Sequence, residues 1–221
     1  MTQCFSAENV SNPPRGYLEN LLLKINGKLG GQNTVLDTAS FQNFGIDPKK
    51  TMVLAYDCNH PSIDEISNQS VAAVVGSIDC IFSRYISVLA QQIRMRSELV
   101  SNLEDHVRIL FKAFKTKNKF FPEFIFIFRD GVSEGQFSDV QRVEIESINS
   151  AMKKEGFLAK IIFLIVQKIH SGRFAMTESS GKSYNVPSGT VVDTGVVSSK
   201  YPNFYLNSHF SPLVRAFCYF F

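Results

Sequence analysis

The 221-residue sequence has no tryptophan, little charge, and only four cysteines, which form no Cys-x-x-Cys pair. Neither a zinc ribbon nor a disulfide framework is therefore indicated, and a reducing compartment is the simpler inference. The longest apolar runs, such as 161–166, are far shorter than the eighteen or so residues that span a bilayer. No apolar leader precedes Asn12-Pro13-Pro14. These absences predict an intracellular chain without a membrane partner.

What the sequence does contain is typical of a buried globular core. It has 20 phenylalanines, and its 23 basic and 20 acidic residues give a net charge of +3. This balance excludes a polycation, although a local basic site can still exist. The composition also excludes disorder and a collagen-like chain. The length corresponds to one large domain, or to one domain and a fragment.

The order of apolar patterns predicts an α/β fold with a mixed sheet. A helix is expected over 17–28, ended by Gly30-Gly31, and the polar stretch 33–50 reads as a linker at a domain boundary. The later predicted elements are strands over 52–56, 71–78 and 85–89, a helix over 99–114, a strand over 124–128, a helix from a Ser138/Gln141 capping box through Met152, and strands over 159–166, 190–197 and 204–206.

Two of the predicted strands lead into a carboxylate, Asp57 after the first and Asp130 after the fourth. Ligands of open α/β sheets bind beyond the carboxyl ends of strands. Two carboxylates that meet there repel each other unless a cation lies between them, and oxygen ligands select magnesium or manganese. The alternative is that each aspartate only caps a turn.

The segment Arg129-Asp130-Gly131-Val132-Ser133-Glu134-Gly135-Gln136-Phe137 resembles the signature of eukaryotic Argonaute proteins. Further segments resemble motifs of the same family in the same order. They are Leu22 to Gly31, Ala55-Tyr56-Asp57-Cys58-Asn59-His60-Pro61, Ser70 to Ser77, Gln167 to Arg173, Gly189 to Thr194 and Phe204 to His209.

The resemblance implies a PIWI domain, whose ribonuclease H-like fold is a mixed sheet flanked by helices, preceded by a fragment of a MID domain. It divides the chain into a MID fragment (1–32), the linker (33–50), a truncated PIWI domain (51–209) and a divergent tail (210–221). Because Met1 falls inside the MID domain and the tail resembles no family motif, we expect truncation at both ends.

The resemblance also implies a slicer tetrad made of Asp57, Glu98, Asp130 and His209. In slicing members these positions bind two Mg²⁺ ions, with Mn²⁺ as a substitute, and Asp57, Asp130 and His209 are the metal ligands expected here. Glu98 matches the family's mobile glutamate through Arg96-Ser97-Glu98. The alternative interpretation is that Glu98 is only an acidic residue in the first turn of a helix.

Three residues match the family's binding site for the 5′-phosphate of a guide RNA, namely Gln3, Lys24 and Lys28. The lysines are four residues apart and so share one helix face, which taken alone is more often only a solvated face. Guide and target backbone contacts are expected at Lys168, His170 and Arg173. Ile169 and Ser171 stand where the family often has arginine and histidine, so guide affinity is expected to be reduced.

The implied function is small-RNA-guided silencing, in which the full-length protein cleaves a target paired to its guide. The alternatives are a non-cleaving module that binds RNA or a silencing partner, and a non-functional truncated copy. The implied partners are a guide RNA, a complementary target RNA and silencing-complex proteins. We expect a monomer in the cytoplasm, with the nucleus as the alternative location, and an isolated chain without cleavage activity.

Overall fold

A five-stranded mixed sheet forms the centre of the computed structural model, which describes residues 2–61, 69–92, 98–168, 170–199, 202–208 and 218–220. The strand order is β3-β2-β1-β4-β5. The strands are β1 (Thr51–Asn59), β2 (Val71–Ser77), β3 (Tyr85–Gln91), β4 (Phe124–Asp130) and β5 (Lys160–Val166). β1, β2 and β3 are antiparallel neighbours, whereas β1, β4 and β5 run parallel, which confirms the mixed sheet.

Two long helices, α4 (Leu103–Asn118) and α5 (Phe137–Glu155), cover one face of this sheet. Their buried side chains recur at helical spacing, as Leu103, Val107, Leu110 and Phe114 do in α4. Alternate residues of β1 and β4 point into the same core. Each fully buried leucine or phenylalanine contributes about 1.5–3 kcal/mol of transfer free energy, so this layer anchors the sheet.

Shorter elements lie before and after the central sheet. They are α1 (Ala7–Ser11), α2 (Tyr17–Lys28), α3 (Thr38–Gln42), a hairpin of β6 (Ala175–Thr177) and β7 (Ser183–Asn185), and a three-stranded sheet of β8 (Thr190–Val192), β9 (Tyr205–Asn207) and β10 (Cys218–Phe220). Two 3₁₀ turns occupy Pro48–Lys50 and Glu134–Gln136. Within the described ranges, no helix has the length and apolar character needed to cross a bilayer.

The helix predicted over 17–28 is confirmed, and Gly30 follows it with φ +84°, as a left-handed stop requires. The stretch 33–50, predicted as a linker, contains a short helix, α3, because the side chain of Asp37 accepts a hydrogen bond from the Ala39 N–H and caps the helix. The strand predicted over 190–197 is shorter, since Gly195 turns the chain at φ +76°. The last strand lies one residue later than predicted, over Tyr205–Asn207.

The capping-box prediction at Ser138 is wrong. Helix α5 begins at Phe137 and Gln136 is its N-cap, so Ser138 lies inside the helix. The 3₁₀ turn before it leads directly into α5, and the Gln136 side chain accepts a hydrogen bond from the Ser133 hydroxyl at 2.8 Å. The hydrogen bond between Ser133 and Gln136 therefore organises the turn before α5, and Ser138 does not cap the helix.

Candidate active site and phosphate pocket

The carboxylates of Asp57 and Asp130 lie at the same edge of the central sheet. Parallel pairing sets Tyr56 opposite Arg129, so the next residues, Asp57 and Asp130, are also neighbours. Asp130 is the last residue of β4, whereas Asp57 lies inside β1, which extends further than predicted. Both line a cavity of about 590 Å³ together with Lys168 and Ser208. The predicted meeting of two acids at one sheet edge is therefore present.

A third carboxylate, that of Glu98, reaches the same place beside Gly131. A Cβ atom built on Gly131 would lie 3.0 Å from Asp57 Oδ1 and 3.8 Å from Glu98 Oε2. Gly131 directly follows Asp130, and its N–H donates to Asp130 Oδ1 at 2.9 Å. Glu98 precedes α4, which begins at Leu103, so it is not an acid in the first turn of that helix.

Glu98 is held by cationic and hydrogen-bonding side chains. His60 Nε2 lies 3.1 Å from Glu98 Oε1, while the other ring nitrogen of His60 lies 2.7 Å from the hydroxyl of buried Ser70. Arg129 Nη2 lies 3.9 Å from Glu98 Oε2 and also donates to the Glu98 main-chain carbonyl. These contacts fix the carboxylate near Gly131.

Arg129 is fully buried and connects the site to helix α5. Its Nη1 donates to the Asp130 carbonyl, and its Nε donates to Glu144 Oε1 at 3.3 Å. Burial raises the pKa of Glu144, and the guanidinium charge opposes that rise. The same guanidinium lies 5.4 Å from the centre of the Tyr56 ring, whose own pKa is raised well above its usual value by burial.

Cys58 has the environment of a structural thiol. Burial raises its pKa to about 11, so the thiol is protonated at neutral pH and is no nucleophile. Its N–H donates to Asp57 Oδ1 at 2.8 Å, and its Sγ contacts the Glu98 carbonyl at 3.5 Å. Cys58 therefore contacts the carboxylate of Asp57 and the main chain of Glu98.

The residues at this edge fit a hard divalent cation by their chemistry. Asp57 and Glu98 direct carboxylate oxygens to the space beside Gly131, and Asp130 lines the cavity that Asp57 also lines. In the part of the chain that the structure describes, no three acidic, histidine or cysteine side chains come close enough together to enclose one ion. The predicted fourth ligand, His209, lies outside the described residues.

The predicted phosphate-binding residues come together in a second cavity, of about 460 Å³. Gln3, Lys24 and Lys28 line it, and Lys28 Nζ donates to the Thr2 carbonyl at 2.8 Å. Asn33 lines it too, and its side chain donates to the Leu23 carbonyl at 2.8 Å. Lys28 thus ties the first residues of the chain to α2, while Lys24 lines the same cavity as an exposed residue.

The three predicted backbone contacts follow β5 but differ in their surroundings. Lys168 forms an ion pair with Asp130 and lines the acidic cavity. His170 packs its ring 5.1 Å from that of Tyr205. Arg173 Nη1 donates to the carbonyls of His170 and Gly172, at 2.8 and 2.7 Å. Only Lys168 of the three lines the cavity with the carboxylates.

Sequence reasoning did not assign a role to His60, Ser70, Arg129 or Asn33. His60 and Arg129 lie within the two motifs that carry Asp57 and Asp130, so motif membership was an available signal. Ser70 begins the motif 70–77, so the same signal was available for it, whereas the residue type of Asn33 gives no indication of its hydrogen bond to the Leu23 carbonyl.

Comparison with known proteins identifies the class of domain that this sheet and site define. Residues 1–212 match the Piwi domain family. Two curated relatives are similar over nearly the whole chain. They are Putative protein tag-76 of Caenorhabditis elegans, 38% identical over 95% of the chain, and Protein argonaute 2 of Oryza sativa subsp. japonica, 37% identical over 94%. A solved structure of Kluyveromyces polysporus Argonaute with a guide RNA superposes with a TM-score of 0.80 at 26% identity, over 99% of this chain and 28% of that one.

The chain therefore belongs to the Piwi family, and its fold is that of Argonaute PIWI domains. It spans about a fifth of the length of the curated relatives, 21% of the worm protein and 20% of the rice protein.

Proposed function

We propose that this chain is the guide-anchoring and target-cleaving part of a small-RNA-guided endoribonuclease. The convergence of Asp57 and Glu98 beside Gly131, next to Asp130, is the observation that supports it most directly. Asp57 and Asp130 line one cavity, and a Cβ atom on Gly131 would lie close to both Asp57 and Glu98. These are the three acids that the sequence motifs imply. His209 is the fourth proposed ligand.

In this proposal Asp57, Glu98, Asp130 and His209 hold two Mg²⁺ ions. Such ions, when bound, lower the pKa of a water and neutralise charge on the scissile phosphate and the leaving 3′ oxygen. The chain's own contribution is to hold its carboxylates in place. Cys58 N–H fixes Asp57, Gly131 N–H fixes Asp130, and His60 with Arg129 fixes Glu98.

The second cavity is proposed to hold the 5′-phosphate of the guide. The ammonium groups of Lys24 and Lys28 and the amides of Gln3 and Asn33 are suited to a group with nearly two negative charges. Target specificity then comes from base pairing, because an A-form duplex offers a protein mainly phosphates, 2′-hydroxyls and shape. Lys168, His170 and Arg173 are the proposed backbone contacts.

A chimera in which this chain replaces the matching segment of the rice relative tests the proposal. With a guide and Mg²⁺ it should cut a complementary RNA at one position and leave a mismatched RNA intact. Asp130→Asn should lower the cleavage rate by about a thousandfold, since several kcal/mol of metal-dependent stabilisation are lost. Guide affinity, measured by filter binding, should stay within about twofold of the wild type, because Asp130 carries no phosphate contact.

Asp139→Asn is the matched control, since Asp139 is an exposed aspartate on α5 whose carboxylate lies 3.9 Å from Arg142. It should cleave at the wild-type rate. If Asp130→Asn cleaves as fast as this control, Asp130 has no part in catalysis. A chimera that binds guide but never cuts would instead favour the non-cleaving alternative.

A further inference from the structure

Lys168 contacts the carboxylate on which the proposed metal site depends. It follows β5, the parallel neighbour of β4, in which Asp130 pairs with Val166. Its Nζ forms an ion pair with Asp130 Oδ2, and both residues line the 590 Å³ cavity with Asp57. The side chain of Lys168 is 55% exposed, and that of Asp130 is 26% exposed. The lysine thus reaches from solvent to the acidic edge of the sheet.

The other basic side chains near the site have different partners. Arg129 is buried beneath the carboxylates and directs its donors to Glu144 and to the main-chain carbonyls of Glu98 and Asp130. His60 contacts Glu98 and Ser70. The cation that pairs with the Asp130 carboxylate is therefore Lys168, which lies on the cavity side. A divalent ion would approach Asp130 from the same side.

We propose that Lys168 is an internal counterion of Asp130, which a divalent cation must displace before it can bind. This inference rests on the proposed function. An ammonium group and a divalent ion compete for the same oxygen, and each disfavours the other through charge repulsion. The displaced ammonium, on its four-carbon stem, can then pair with a phosphate of bound RNA. Lys168 therefore lowers the affinity for metal in the absence of RNA, and RNA relieves that effect.

Titration of the RNA-free 221-residue protein with MnCl₂ in a calorimeter tests this inference. Lys168→Met should bind Mn²⁺ about two- to fivefold more tightly than the wild type, the size expected for a partly exposed ion pair. Lys168→Arg keeps the positive charge and should bind within about twofold of the wild type. Lys117→Met removes an exposed charge from α4, away from the site, and should leave the affinity unchanged.

A second pair of variants separates competition for Asp130 from general charge repulsion. Asp130→Asn should weaken Mn²⁺ binding, and adding Lys168→Met to it should give no further change, because the shared oxygen is no longer a carboxylate. An equal gain from Lys168→Met in both backgrounds would overturn the inference. So would an unchanged affinity in Lys168→Met itself, although the proposed metal site would then stand. A wild-type protein that binds no Mn²⁺ would overturn the metal site together with this inference.

Discussion

Gly131 lies where a side chain would crowd the carboxylate of Asp57. Its φ of +82° lies in the region that favours glycine, and any Cβ would lie 3.0 Å from Asp57 Oδ1. Both constraints apply at one position, directly after Asp130. A substitution there would strain the backbone and crowd a carboxylate, so this glycine is part of the site although it carries no functional group.

At the scale of single residues, the motifs singled out Asp57, Glu98 and Asp130 but not the side chains that contact them. The structure brings carboxylate oxygens of Asp57 and Glu98 to the space beside Gly131, and the role of the three acids as metal ligands stays a prediction. The burial of Arg129 could not be predicted, because a charged residue enters a core only when long-range contacts pair it, here with Glu144. Arg173 was predicted as a backbone contact, and that role stays a prediction, since its guanidinium binds its own loop.

The proposed phosphate pocket yields a prediction for Lys24 and Lys28. The double variant Lys24→Ala/Lys28→Ala should weaken binding of a 5′-phosphorylated RNA at least tenfold more than binding of the same RNA with a 5′-hydroxyl. Each lost hydrogen bond to a charged group costs about 1.5–3 kcal/mol of binding free energy. Only the phosphorylated RNA loses these bonds, because the lysines are proposed to contact the 5′-phosphate, which the 5′-hydroxyl RNA lacks. Fluorescence anisotropy on the 221-residue protein at fixed salt measures both affinities.

Lys117→Ala/Lys153→Ala is the matched control, because it removes two exposed lysines from α4 and α5 and the same net charge. It should weaken the two RNAs equally. An equal loss for both RNAs in Lys24→Ala/Lys28→Ala would return these lysines to the role of a solvated helix face.

At the scale of elements, the pairing of β4 with α5 through Arg129 and Glu144 connects the site to the helical layer. Glu144 is 1% exposed and Arg129 is fully buried. Breaking a buried ion pair by removing one partner leaves an uncompensated charge in the core. The helix thus supports the position of β4 through a charged contact as well as through apolar packing.

Glu144→Ala should therefore lower the free energy of unfolding by about 3–5 kcal/mol, because the buried guanidinium of Arg129 loses its carboxylate. Glu144→Gln keeps an acceptor oxygen and should cost less. Urea denaturation followed by circular dichroism measures both. Glu146→Ala, an exposed position on the same helix, should stay within about 0.5 kcal/mol of the wild type. A Glu144→Ala variant as stable as Glu146→Ala would show that the pair does not support the fold.

Periodicity predicted the existence and type of the long elements but not their ends. The helix predicted over 17–28 agrees with the structure, because the signals that define it, an apolar stripe and two terminal glycines, are all local in sequence. The start of α5 differs, because a side-chain bond from Ser133 to Gln136 shapes the preceding turn. Strand β1 extends beyond the apolar run to Asn59, because its pairing with β2 continues through Asp57 and Cys58. Pairing partners far along the chain decide such ends, and a local pattern does not contain them.

At the scale of the whole molecule, the chain carries both proposed sites within about a fifth of the length of its curated relatives. The sheet, its covering helices and the two aspartates of β1 and β4 all lie within the described residues. Guided cleavage requires more, since a guide must be held along its length and paired to a target. The expectation that the isolated 221-residue chain binds RNA weakly and does not cut it stays a prediction.

The central claim is that metal ions held by these carboxylates act on the scissile phosphate, and sulfur substitution tests it most directly. The chimera is given a matched target in which one non-bridging oxygen of that phosphate is replaced by sulfur. Mg²⁺ prefers oxygen and Mn²⁺ accepts softer ligands, so cleavage should fall at least about tenfold in Mg²⁺ and recover in Mn²⁺. Equal cleavage of the sulfur and oxygen targets in Mg²⁺, with no gain in Mn²⁺, would contradict the account.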